Sequence, residues 1–550
     1  MFNPDTMKNY FYALCAAFLA ACSGQKKADL IVYNAAVYTV DSTFSKASAF
    51  AVKDGKFVAV GDSVTVFSQF HSDSLVDAQG HPVYPGLYDA HAHFYGLGQM
   101  LDQADLVDTQ SPEEIVERLK KYQSEHPDAV WIIGRGWDQN DWPVKEFPTK
   151  EVLDKAFPNN PVYLTRIDGH AGWINSKALQ LAKITAETKT EGGLVVLKNG
   201  QPTGVLIDRA QQLVRALNPT PTKEEITSKL LKAQAVCFQY GLTNVGDAGL
   251  APDIIDHIDS LQKAGTLKIR LYPMVSVSQE NIEKMLKKGI YVSDRLNVRS
   301  FKIYADGALG SRGACLLKPY SDAPETTGFL LFSPAELEKW ISQLADSEFQ
   351  ANTHCIGDSS NRLMLNLYAK YLKGKNNRRW RIEHSQIVDA ADVTKFGDYS
   401  ILPSAQPTHA TSDMYWAGQR LGKDREKNGY IFKTLMDQNQ KIALGTDFPV
   451  EAVSPFYTFH SAVYRQDAKG FPAGGYQVEN ALTREQTLRG MTIWSAYGNF
   501  EENRLGSIEL GKAADFVILE KDLMTAPANE LRELKVNKTY VAGEKVFERK

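Results

Sequence analysis

Short apolar runs recur through the middle of the chain, and most stop at a polar or charged residue. They are Tyr88 to His93, Leu242 to Asp247, Ile269 to Val275, Val298 to Tyr304, Gln350 to His354, Trp380 to His384, Ser400 to Ala405 and Ile442 to Asp447. Near-continuous apolar runs of this length predict strands covered on both faces. Most intervals can house a helix. One is well marked: Thr222 caps it, Glu225 completes a capping box and Gly241 stops it. Strands alternating with helices in this way predict an α/β fold, a (β/α)8 TIM-like barrel rather than an open sheet.

The two ends of the chain read differently. Leu30 to Tyr33 and Ala49 to Gly61 are rich in strand formers, the second folding about Asp54-Gly55. Phe516 to Leu519, Thr539 to Val541 and Lys545 to Phe547 have the same character. Residues 28–84 and 500–550 are therefore expected to build one composite β-sandwich around a barrel spanning 85–499. The interval from Phe94 to Gln239 far exceeds the roughly 2 to 6 residues of an ordinary βα loop. It predicts an inserted subdomain at about 100–220, lying over the barrel mouth. Within it Ser111-Pro112-Glu113-Glu114 starts a helix, and Val130 to Ile133 and Val162 to Thr165 read as strands.

The ends of the predicted barrel strands carry the candidate chemistry. His91 and His93 are two apart, so on a strand both imidazoles point to one spot, and neutral imidazole is a common metal ligand. Barrels present their chemistry at the C-terminal ends of their strands, where Lys302, His354, His384 and Asp447 also fall. Two His, Lys, two His and Asp in that order can fill a two-metal site. Cys355, beside His354, faces the other way on its strand and reads as packing.

Five segments together resemble the amidohydrolase superfamily: Pro85 to His93, Lys302 to Arg312, His354 to Asp358, Arg381 to Ser385, and Leu444 to Asp447. The most similar branch is amidohydrolase family 3, the group that includes N-substituted formamide deformylases. The resemblance implies a divalent metal, zinc favoured by the imidazole-rich set, with one or two ions per chain. His91, His93 and Asp447 would hold the first ion, and His354 and His384 the second. A carbamate on Lys302 would bridge them. If Lys302 instead keeps its ammonium and pairs with Asp306 or Asp447, a single-metal site is expected. The implied reaction is hydrolysis of a non-peptide C–N bond in a small amide, formamide or related substrate by a metal-bound hydroxide, with Asp447 shuttling the proton.

Other polar positions are less committed. His170, in Asp168-Gly169-His170, could meet substrate or stabilise the tetrahedral intermediate. Trp137 and Trp173 could wall the pocket or play a structural part. His409 is a rim candidate, and Arg312 is expected to brace its own loop. His71, His81, His126, His257 and His460 read as surface or packing residues. Two rivals remain. A single-metal deaminase or cyclic-amide hydrolase fits the same barrel, although Cys355 to Asp358 stand where deaminase relatives usually place a glutamate. A non-catalytic envelope binding protein is the other.

Composition changes this picture little. Across 550 residues the chain is 43% hydrophobic and 23% charged, with a net charge of −3, which excludes the basic excess that a nucleic-acid partner needs. The leader is more informative. Lys8 precedes the apolar stretch Tyr10 to Ala21, and Leu19-Ala20-Ala21-Cys22-Ser23 resembles a bacterial lipobox. Residues 1–22 read as a lipoprotein signal peptide, with lipidation at Cys22 anchoring an exported protein to the membrane of a bacterial cell envelope. An oligomer is compatible with everything above. Of five cysteines, Cys237, Cys315 and Cys355 lie beyond the leader, and no disulfide framework is expected.

Overall fold

The computed structural model describes residues 24–217 and 221–550. The leader, with its lipobox and Cys22, lies outside the described residues. The barrel strands are β1 (Leu87–Ala92), β2 (Leu242–Leu250), β3 (Arg270–Ser276), β4 (Ser300–Tyr304), β5 (Gln350–Cys355), β6 (Arg381–His384), β7 (Leu402–Ala405) and β8 (Ala443–Leu444), hydrogen-bonded in that order as one 8-stranded sheet. Every pairing along it is parallel. The helix Lys223–Gln239, capped by Thr222 and Glu225 as its sequence predicts, buries Ile226, Leu230, Ala233 and Cys237. That is the three-to-four-residue spacing of one helical face. Cys355 is buried in the main apolar core.

The last strand is shorter than its apolar run. Ile442 to Asp447 predicts a strand to the rim, but the ladder stops at Leu444 because the Asp89 carboxylate intervenes. It accepts hydrogen bonds from the Thr446 amide at 3.1 and 3.2 Å and from the Thr446 hydroxyl at 2.7 Å. Gly445 makes this approach feasible: a Cβ there would sit 2.6 Å from the His91 nitrogen and 2.7 Å from an Asp89 oxygen. Beyond it, Asp447 N donates to His91 O at 2.8 Å and His93 N to Phe448 O at 2.7 Å. These bonds draw the two ends of the sheet together into a nearly closed barrel.

Both chain ends meet beneath the barrel. Phe516–Leu519 pairs antiparallel with Pro82–Pro85 in a 6-stranded sheet that faces a 4-stranded one. Between them Val32, Phe50, Phe57, Val83, Phe516 and Ile518 share an apolar core. Above the barrel, strands from Ala104–Asp105 to Gln201–Asp208 form a separate 6-stranded sheet. One face of it, with helix Pro112–Glu125, encloses a core containing Trp137, Trp142 and Trp173. The other face looks down on the barrel mouth. No helix among the described residues is long and apolar enough to cross a membrane.

Candidate metal centre

The rim of the barrel gathers most of the polar strand-end residues in one place. His93 Nε2 lies 3.1 Å and His91 Nε2 3.5 Å from Asp447 Oδ1, while His409 Nε2 and His384 Nδ1 lie 3.6 and 4.0 Å from Asp447 Oδ2. Lys302 Nζ is 3.1 Å from His91 Nε2. The His384 ring stands 4.7 Å from that of His91 and 4.6 Å from that of His354, centroid to centroid. His354 itself turns Nε2 towards Gly307 O at 3.5 Å and Asp306 Oδ1 at 3.8 Å.

Two overlapping groups, His91–His93–Asp447 and His384–His409–Asp447, have ligand atoms close enough to hold a metal ion. A cation would also resolve an electrostatic problem. His384 Nδ1 and His409 Nε2 are buried without hydrogen-bond partners, and such atoms carry a desolvation cost unless something coordinates them. The donor set of imidazoles and a carboxylate suits a borderline metal such as zinc. His384 and Asp447 also sit at φ 69° and 63°, conformations that β-carbon-bearing residues adopt at a cost and that cluster at functional sites.

The orientation of His91 is fixed from behind. Its Nδ1 bonds Glu383 Oε2 at 2.5 Å, Arg381 Nε donates to Glu383 Oε1 at 2.7 Å, and Asn499 Oδ1 accepts from Arg381 Nη1 at 2.7 Å. With Glu383 accepting, the Nδ1 carries the proton and Nε2 offers its lone pair to the rim. Burial would raise the Glu383 carboxyl, but Arg381 and His91 hold it down at about 2. Burial, then the Lys302 charge, lowers His91 to about 4, and burial first of all lowers His354 and His384 well below the usual histidine range. All three are thus neutral, the form that binds metal. Burial also brings Lys302 down to about 8. Asp447, despite its burial, is held far below the ordinary carboxylate range, chiefly by His93, His91 and His409.

The inserted sheet contributes from above. His170 Nδ1 bonds Asp208 Oδ1, and its ring centroid is 5.2 Å from that of His354. Asp208 fits between Gly307 and Gly313, each of which would drive a Cβ into its carboxylate. Burial opposes charge on His170, but Asp208 raises its pKa above the usual value. Between this layer and the rim lies a cavity of about 730 Å³, lined by His93, His170, Asp247 and Tyr304 among others.

Trp137 and Trp173 do not line this cavity; both are fully buried in the core of the inserted sheet. Arg312 braces its loop through Asp322, 3.0 Å away. His460 is buried packing, whereas His71 and His126 are exposed. His257 bonds Thr227 and His81 bonds Glu520 O. Reasoning from sequence assigned no role to Glu383, Asp89 or Asp208. Glu383 adjoins His384, and alternation along a strand would send the two to opposite faces; His384 escapes that rule because it leaves the strand at positive φ.

A model described as "Amidohydrolase family" matches residues 74–547. Protein LONG AFTER FAR-RED 3 of Arabidopsis thaliana is 30% identical over 94% of this chain and 92% of its own. The N-substituted formamide deformylase of Arthrobacter pascens is 27% identical over 95% and 98%. Among solved structures, an uncharacterized metal-dependent hydrolase from Pyrococcus horikoshii OT3 superposes with a TM-score of 0.74 at 27% identity, covering 91% of this chain and 99% of that one.

Proposed function

The chain belongs to the amidohydrolase family, and from that premise we propose that it is a metal-dependent hydrolase that cleaves the C–N bond of a small non-peptide amide, a formamide in particular. The observation that carries this reading is the buried, unpartnered pair His384 Nδ1 and His409 Nε2 converging with His91 and His93 on the Asp447 carboxylate at one rim. The formamide preference rests on the similarity to the Arthrobacter enzyme.

His91, His93 and Asp447 would hold one divalent cation, and His354, His384 and His409 supply imidazoles for a second. A cation there supplies Lewis acidity, polarising the substrate carbonyl and bringing water within reach of deprotonation near neutral pH. Lys302, buried with its amine brought down to about 8, has a larger share of the neutral amine that reacts with carbon dioxide than an ordinary lysine, and its carbamate would bridge two ions. Asp447 accepts the proton of the attacking water and delivers it to the departing nitrogen. Glu383 keeps the His91 tautomer, and His170, whose charged form Asp208 favours, would face the carbonyl oxygen as negative charge develops there.

Metal analysis joined to an amide screen with and without chelator tests this. Metal-dependent release of free amine from an N-substituted formamide is expected, with two ions per chain. One ion per chain would favour the mononuclear alternative, for which the amine contact of Lys302 with His91 at 3.1 Å is the supporting observation. Uptake without turnover of any amide would overturn the hydrolase reading in favour of a binding protein. We also propose that Cys22 carries the lipid that anchors the protein in the cell envelope, on the strength of the lipobox-like segment alone.

A further inference from the structure

The cavity over the rim has a second polar wall that the reaction above does not use. Alternation along Ile132–Trp137 and Val162–Arg166 sends Ile132, Gly134 and Leu164 into the core of the inserted sheet. Ile133, Arg135, Tyr163 and Thr165 face the cavity instead. Arg135 and Thr165 are register partners on adjacent strands, and Arg215 reaches the same cavity from the short helix Gln212–Arg215.

Both guanidinium groups bond only neutral acceptors among the described residues. Arg135 donates to Ile167 O at 3.0 Å, and Arg215 to the Tyr163 hydroxyl at 2.7 Å and Gln211 Oε1 at 3.0 Å. Arg135 Nε is buried with no partner at all. The carboxylates that share the cavity are committed elsewhere: Asp168 to Arg166 at 2.5 Å, Asp208 to His170, and Asp247 to the Tyr95 amide at 3.1 Å. Burial, and then the neighbouring charge of Arg215, hold Arg135 down at about 10. Arg215 is exposed to solvent and Arg135 half-buried, so the uncompensated cost falls on the buried, unused Nε edge of Arg135, which an anion in the cavity would relieve. Guanidinium forks are shaped to take a carboxylate.

We propose that Arg135 and Arg215 form an anion-recognition subsite, so that the substrate is an amide bearing a carboxylate remote from its hydrolysable bond. Resting on the hydrolase reading, this places the amide at the metal rim and the carboxylate against the inserted sheet. The subsite selects among amides and takes no part in bond cleavage.

The test is a ladder of N-formyl ω-amino acids of increasing chain length, each beside its own primary carboxamide, which differs essentially in charge. Turnover is read as kcat/KM. Binding is read by calorimetry with the N-methanesulfonyl analogues, which have no acyl carbon to hydrolyse. At the best-fitting length the acid should bind about tenfold more tightly than its carboxamide, with the gain in KM rather than kcat. Arg135→Gln and Arg215→Gln should each erase most of that preference by weakening the acid far more than the carboxamide, and Arg135→Lys should retain part of it. Equal binding of acid and carboxamide at every length overturns the subsite, as does a preference that survives both Gln variants, since a carboxylate held at the metal would behave that way. Acid-selective binding without turnover would sink the hydrolase reading and leave the subsite standing.

Discussion

Glu383→Gln tests how the centre is held in shape. The side chain is fully buried and its two oxygens are divided between His91 Nδ1 at 2.5 Å and Arg381 Nε at 2.7 Å. Glutamine keeps the size but removes the charge, leaving Arg381 buried without a counter-ion. Depression of the Glu383 carboxyl from 4.5 to about 2 is worth about 3 kcal/mol at neutral pH. Breaking a buried ion pair from one side costs about 3 to 5 kcal/mol, so the two routes agree. Because the folded-state value lies below the unfolded one, this stabilisation is present above pH ~4.5 and is lost as pH falls towards ~2. The variant should therefore unfold at lower denaturant concentration at pH 7, by about 3 kcal/mol, with a smaller deficit below pH 4. Glutamine offers one acceptor oxygen to two donors, and when Arg381 takes it the amide NH2 faces His91 Nδ1 and disfavours its present tautomer, which should weaken metal affinity about 10- to 100-fold in a chelator competition. Destabilisation with unchanged metal affinity would refute the orienting role and leave Glu383 as no more than a partner for Arg381.

Three further changes probe other parts of the site. Asp447→Asn should retain the fold and much of the metal while kcat falls by about 10² to 10⁴; rates like those of the native protein would refute the proton shuttle. Gly307→Ala drives a methyl into Asp208 and should lower kcat/KM at least about tenfold, at a stability cost of about 1 to 3 kcal/mol. Unchanged kcat/KM would show that Asp208 does not position His170. Cys22→Ser should shift the protein from the membrane to the soluble fraction and abolish incorporation of labelled fatty acid, whereas retention in the membrane would exclude the lipid anchor.

The barrel was legible because its strands are covered on both faces and so write themselves as short, mostly apolar runs. The rim residues were legible because they end those runs. What escaped notice depends on local departures from strand periodicity. Trp137 is two residues from Arg135 and by alternation should share its face, yet the register shifts between them, and the indole turns into the core. His409 stands on the helix Pro407–Asp413 that follows β7; its place after a strand marked it as a rim residue, but only the fold brings its ring to Asp447. Asp208 is remote in sequence from everything it orients. Contacts of that kind leave no period to read.

The position of the centre on the barrel has its own logic. The parallel ladder runs from β1 to β8 and, among the described residues, no ladder pair joins β8 back to β1 across the remaining seam, since both strand residues of β8 pair with β7. Three devices cross that seam: the Asp89 carboxylate with Thr446, the backbone bonds from Asp447 to His91 and from His93 to Phe448, and the side-chain cluster of His91, His93 and Asp447. A cation bound by that cluster takes ligands from both sides of the seam and so opposes its opening. Metal binding and barrel closure are then one equilibrium, because ligand atoms that separate when the seam opens cannot coordinate together. Such coupling would match the positive φ of 63° at Asp447. A relaxed conformation there would free the residue from the His91 carbonyl and take its carboxylate away from the imidazoles across the seam.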